Sequence, residues 1–350
     1  MVALRWRTWH GPLVSCAVAM AVLMSVSAAG LVVDGRTVMG EGVWLKPFKF
    51  AASFCLYALT LAWMISQVER WRRTLWWLGT VTVALFVLPE IAAITFQAVR
   101  GVRSHFNFAT TLDKSVFMVM GGAAYLGWAL TLALGIFLVL QRRVDRAMAW
   151  AIPLGVAISL AGMSVGYLMT APTPEQAHAL AGGAELITIG AHTVGAPDGG
   201  AGMPLLGWAT GGGDLRVAHF VGLHALQVLP LIALWVRRVP LVIVAASGYA
   251  GLTGLLVWQA QRGQALVHPD GTTLLAAGGL LAAVTVAAAV LRRSWVRFGT
   301  GGQSGFADLQ GVRKDHLRGA RGRVFPIVGL RSNFKGVERA HSTDRPLWRP

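Results

Sequence analysis

The side chains best suited to chemistry gather in Gly211 to Pro230, GGGDLRVAHFVGLHALQVLP, where three glycines and an acid lead into an apolar helix. Arg216, His219, His224 and Gln227 fall within an arc of about 140° on that helix, so one face is polar and the rest apolar. Such a helix crossing a bilayer turns its polar face to a protein interior or a wet cavity, and ionisable groups held there are candidate functional residues. The two histidines stand five apart, whereas two ligands of one ion favour a spacing of three or four. The spacing also excludes them as the two axial ligands of one haem. A transition metal or haem b would need a ligand from elsewhere. His105 is the first candidate, with His192 or His178 behind it. Asp214 reads as the cap of the helix, and the helix N-terminus with Arg216 is a second candidate, an anion site.

A second constellation is Pro89-Glu90 with Gln97, followed by RGVRSHFN. Glu90 and Gln97 are seven apart and share a helical face, near a carbonyl that Pro89 leaves without its donor. A carboxylate at that depth is costly unless paired, protonated or hydrated, and Arg100, Arg216 or a protonated histidine are its candidate partners. Lys46 and Lys49 flank the start of another apolar run, where snorkelling to the interface accounts for both. Candidate acid–base or substrate-binding residues are therefore Glu90, Arg100 and Arg216. Candidate cofactor or metal ligands are His105, His219 and His224.

Eight apolar runs must position these groups: Pro12 to Val33, Pro47 to Gln67, Leu75 to Val99, Ser115 to Leu140, Ala147 to Thr170, Arg216 to Val236, Val239 to Trp258 and Thr272 to Leu291. Each can cross the roughly 30 Å of a hydrocarbon core. Composition agrees: 55% of residues are hydrophobic, 13% are charged and the mean hydropathy is +0.58. The expected fold is an all-α polytopic membrane bundle over residues 1–291, with an outer loop at 171–215. It has eight spans, or seven if the first is a signal peptide cleaved after Ser27-Ala28-Ala29. Basic clusters at Arg5/Arg7, Arg70/Arg72/Arg73, Arg142/Arg143/Arg146, Arg237/Arg238 and beyond Arg292 fall in every second connection. That pattern predicts cytoplasmic termini in a bacterial inner membrane and puts the polar residues at the extracytoplasmic side.

The net charge of +16 is not a nucleic-acid signature. Residues 292–350 supply 13 Lys and Arg against 4 Asp and Glu, and this segment reads as a mostly disordered cytoplasmic tail contacting anionic lipid. Cys16 and Cys55 read as buried free thiols. In the outer loop, Thr173-Pro174-Glu175-Gln176 starts a helix expected to reach Ile189, with His178 and Glu185 on one side, as a lid or an interfacial helix. Met203 to Trp208 is expected to dip back toward the membrane. No GxxxxGK[ST], CxxC, CxxCH or HExxH occurs, so nucleotide-driven pumping, covalent haem and zincin proteolysis have no motif.

The phrases WLKPFKF, QAVRGVRSHFN and GGDLRVAHFVGLHALQVLP resemble those of a group of uncharacterised bacterial multi-pass inner-membrane proteins. The resemblance covers about residues 40–290 and implies the multi-spanning fold, with no activity, cofactor or catalytic residue carried over. The chain is thus expected to be a haem- or metal-dependent membrane enzyme or redox protein acting on a lipid-soluble or periplasmic substrate. A proton-coupled or anion transporter is the first alternative and a sensor or assembly factor the second.

Overall fold

The computed structural model describes residues 9–141 and 145–315, with side chains as far as Arg293. Arg5, Arg7, Arg142, Arg143 and the tail beyond Asp315 lie outside the described residues. The helices are α1 (Gly11–Val33), α2 (Leu45–Ser66), α3 (Arg72–Thr82), α4 (Leu88–Arg100), α5 (Thr111–Val139), α6 (Arg146–Thr170), α7 (Pro174–Ala181), α8 (Leu215–Leu223), α9 (Ala225–Val236), α10 (Val239–Gln261) and α11 (Gly271–Asp315). Two short antiparallel pairs join them: β1 (Thr37–Val38) with β2 (Glu41–Gly42), and β3 (Thr193–Val194) with β4 (Gly213–Asp214). Among the described residues seven helical stretches are long and apolar enough to cross a membrane, consistent with a multi-pass integral membrane protein. The pair α8 and α9, bent by 45°, would make an eighth. Helix α11 continues past Arg292 to Asp315.

The first apolar run packs as a member of the bundle. Leu13, Cys16, Ala17 and Met20 lie in its core, and Gly30 lets the Trp44 ring press against the α1 backbone. The third span is one continuous path from Arg72 to Arg100, but it widens into a π-helical turn at Val83–Val87 just before Pro89. Proline has no N–H to offer the preceding turn, so a wider turn there is the local response. Gly101, at φ 70° in the left-handed region, ends α4.

The polar stretch expected to be one helix is broken at His224. A seam of small residues lies beside the break. Gly162 and Gly166 stand four apart on α6, the spacing that lets two helix backbones touch. A Cβ on Gly162 would lie 2.5 Å from the carbonyl carbon of Gly222 on α8, so neither position admits a side chain. Carbonyls near the break find donors on neighbouring helices: Ser159 Oγ donates to Leu223 O at 2.9 Å and Tyr249 Oη to Val221 O at 2.6 Å. In hydrocarbon such satisfaction is what permits irregular backbone.

The connections 34–44, 101–110, 171–214 and 262–270 meet at one end of the bundle and knit together. Phe108 N donates to Ile187 O, Leu215 N to His192 O, and the Arg103 guanidinium to Thr188 Oγ1. The Thr173 capping box forms, with Gln176 also bonding both backbone groups of Gly190. However, α7 stops at Ala181, so Glu185 is not on its face with His178. Met203 to Trp208 does return to the helices, where Leu206 O accepts from Lys49 and Gly207 O from Arg216.

The glycine seam yields a stability prediction. Gly162→Ala forces α6 and α8 apart and should cost about 1–3 kcal/mol, read as a lowered Tm in detergent. An unchanged Tm would show that the seam yields freely.

Candidate functional site

The knitted end collects ionisable side chains from five separate segments. Lys46 and Lys49 come from the first turn of α2, Glu90 from α4, His105 from the connection after it, His192 and Asp198 from the long loop, and Arg216 and His219 from α8. Glu41, Lys49, Glu90 and Arg216 all lie within electrostatic reach of Lys46, and His192 and His219 within reach of His105.

Lys46 does not snorkel away from the bundle. Its Nζ lies 3.1 Å from His105 Nδ1, which is also 3.1 Å from Ser104 Oγ. Among the described residues no carboxylate pairs with this ammonium, whereas Lys49 pairs with Glu41 at 3.2 Å. The His105 ring sits among Phe50, Phe106 and Phe117, with ring centroids about 6 Å away, and 6.5 Å from the His192 ring. Burial among these rings, with Lys46 and the two other imidazoles adding positive potential, holds the His105 pKa well below its usual value.

His192 is oriented by Asp198. Its Nδ1–H donates to Asp198 Oδ2 at 2.9 Å, and the same carboxylate accepts from the backbone N–H groups of His192 and Thr193 and from the Thr193 hydroxyl. Burial would raise the Asp198 pKa, but the imidazole and these donors outweigh it and hold the group well below the usual carboxylate range. For His192 burial dominates over the carboxylate and lowers its pKa. His219 lies over the glycine seam, with Nδ1–H donating to Gly162 O at 2.8 Å and its ring against Gly166. In the neutral ring this leaves Nε2 as the unprotonated nitrogen.

The other expected residues separate into different settings. His224 sits at the break, its ring centroid 4.4 Å from that of Phe220 and its Nδ1 3.4 Å from Gln227 Oε1, so it serves its own helix. Arg100 is bound to Asp113 and Gln97 Oε1, both at 2.5 Å. Gln97 and Thr110 complete that buried network by donating to Asp113, so Arg100 does not pair with Glu90. Arg216 does not pair with it either: it forks onto Asp214, with Nη2 to Oδ2 at 2.7 Å, and reaches Glu41 at 3.5 Å. Asp214 also caps α8, accepting from Arg216 N at 2.9 Å. A carboxylate therefore already occupies the helix terminus that could have held an anion.

Glu90 is 4% exposed, and its Oε2 has no hydrogen-bond partner among the described residues. Among the described residues no three His, Cys, Asp or Glu side chains are arranged to hold a metal ion. Nor do His105 and His192 leave room for a haem between them, because Phe106 packs against both rings, 5.9 and 4.8 Å between centroids. Sequence reasoning gave Asp113 no role, although Thr110-x-x-Asp113 is a capping-box spacing. It missed the GxxxG of Gly162 and Gly166 as well.

No protein-family model matches the chain, and no curated protein or solved structure matches it.

The two loop histidines give the knitted end a pH dependence. Their folded pKa values lie below the reference of 6.5, so the unfolded chain takes up protons first as pH falls. Their contribution to stability is complete above pH 6.5 and declines below it, by up to about 1.4 kcal/mol per pH unit for each group. The Tm should fall between pH 7 and pH 5, and His192→Asn, which keeps a donor for Asp198, should flatten that fall. A Tm that rises on acidification would refute the assignment.

Proposed function

We propose that this protein is a multi-pass inner-membrane protein that receives a small anionic solute in a covered site at its extracytoplasmic end and exchanges a proton with it. The observation that carries this reading is Lys46, whose ammonium faces an imidazole inside the bundle and, among the described residues, forms no ion pair with a carboxylate, Glu41 and Glu90 reaching it only at longer range. A desolvated charge without a counter-ion is costly, and a bound anion would remove that cost. His192 and His219 lie within electrostatic reach of His105 beside Lys46, and Glu90, without a donor on Oε2 among the described residues, is the nearby group suited to accept or release a proton.

The sidedness rests on charge. Arg70, Arg237 and Arg238 lie in connections and Arg72, Arg73 and Arg146 in the first turns of α3 and α6, all at the end opposite the site, where the positive-inside rule puts the cytoplasm. A break in a span is a feature of many carriers, but here the carbonyls of Leu223 and Val221 already have donors and are not held open for an ion. That favours proton exchange with a bound solute over cation-driven transport.

A transition-metal site is the second reading, favoured by one observation. His192 and His219 each have Nδ1–H tied to an oxygen, leaving Nε2 free, which is how metal-bound imidazoles are oriented. The haem reading lacks the space for a porphyrin between His105 and His192.

The purified protein should gain thermal stability from a small carboxylate or phosphate, by about 2.7 kcal/mol at a hundred times its dissociation constant, and Lys46→Met should abolish the gain. Equal stabilisation of the variant would remove Lys46 from the site. Elemental analysis should find no stoichiometric metal. A bound metal lost in both His192→Ala and His219→Ala would replace the anion reading with the second one.

A further inference from the structure

At the end of the bundle opposite the knitted loops lies a separate cavity of about 300 Å³, lined by Trp9, His10, Ser66, Arg72, Arg73 and Trp76. Its size is that of a small-ligand pocket. Three features fit it to a phosphate group. Arg72 and Arg73 are exposed, and among the described residues neither forms an ion pair or a hydrogen bond through its guanidinium, so two cations face the cavity without counter-ions. The indole Nε1–H of Trp9 is buried and, among the described residues, has no acceptor. The N-terminus of α3, which begins at Arg72, carries no side-chain cap. Among the described residues no acceptor answers the two guanidinium groups or the indole.

The remaining lining is occupied. His10 bonds Trp76 O through Nε2 at 2.8 Å and accepts from Leu13 N through Nδ1 at 3.2 Å. Its ring leans on that of Trp76, 5.5 Å between centroids. These contacts build a wall and leave the arginines and the indole as the free groups. Trp76 and Trp77 are 41% and 55% exposed one turn into α3, as aromatic residues are at a membrane interface. Arginine binds phosphate oxygens through paired N–H groups, and a helix N-terminus favours the same charge.

We propose that this cavity binds the phosphate of an anionic membrane lipid, gripped by Arg72 and Arg73 and receiving a hydrogen bond from Trp9 Nε1. The site is independent of the Lys46 site, and neither reading needs the other.

The test is native mass spectrometry of the full-length protein in mild detergent, titrated with phosphatidylglycerol, phosphatidylcholine and glycerol 3-phosphate. Phosphatidylglycerol should bind about tenfold more tightly than phosphatidylcholine, and R72Q/R73Q should remove that preference. Both arginines are exposed, so the double variant keeps the fold, and an unchanged Tm verifies this. Trp9→Phe keeps the ring, removes the donor and should weaken phosphatidylglycerol binding without affecting phosphatidylcholine. Equal binding of the two lipids by the unaltered protein, or a preference that survives R72Q/R73Q, would overturn the proposal. Glycerol 3-phosphate binding as tightly as the lipid would overturn the lipid assignment in favour of a soluble phosphate.

Discussion

The close passage of α6 and α8, glycine against glycine at Gly162 and Gly222, is the contact on which the site geometry depends. A larger residue at either position would push the helices apart, and three consequences would be lost together. Gly162 O could no longer accept from His219 Nδ1, Ser159 could no longer reach Leu223 O, and the His219 ring could not lie over Gly166. The break in the span lies beside the same contact. In a hydrocarbon surround an interrupted helix persists only where other groups take up its orphaned carbonyls, and here α6 and α10 supply them.

The cluster above that seam is divided by charge. Asp214 and Glu41 hold Arg216, Glu41 also holds Lys49, and Asp198 holds His192. Asp113 holds Arg100 in a network of its own. The Glu41 and Asp214 pairs tie connections to helix ends, the Asp198 pair braces the long loop and the Asp113 pair joins α4 to α5, so the polar residues build the covering over the site as well as lining it. Lys46 and Glu90 stand outside this pairing, which makes them the residues whose presence the architecture alone does not explain.

The membrane architecture was legible because hydrocarbon imposes a coarse rule: a span needs about 20 apolar residues whatever its neighbours do. The expected spans accordingly agree with the observed helices to within a few residues at most ends. Local capping was legible for the same kind of reason, since Thr173 with Gln176 and Asp214 with Arg216 N are contacts within a few residues. The lid helix was overextended because the turn at Gly182 and Gly183 ends it and nothing apolar beyond draws it on.

Residue types and spacing thus determined that the chain forms apolar helices, where they cap, and that a few ionisable groups are carried into them. Which of those groups meet was decided only in three dimensions. His192 joins His105 and His219, while His224, on the same polar arc as His219, turns to Gln227 because the break rotates the helix after Leu223. Lys46 reads as an interfacial lysine in isolation, and its inward turn exists because the loop bearing His105 lies over the first turn of α2. Spacing along one helix fixes angles about that helix alone, whereas pairing depends on the distance between helices, and here a glycine on each side of the seam sets that distance.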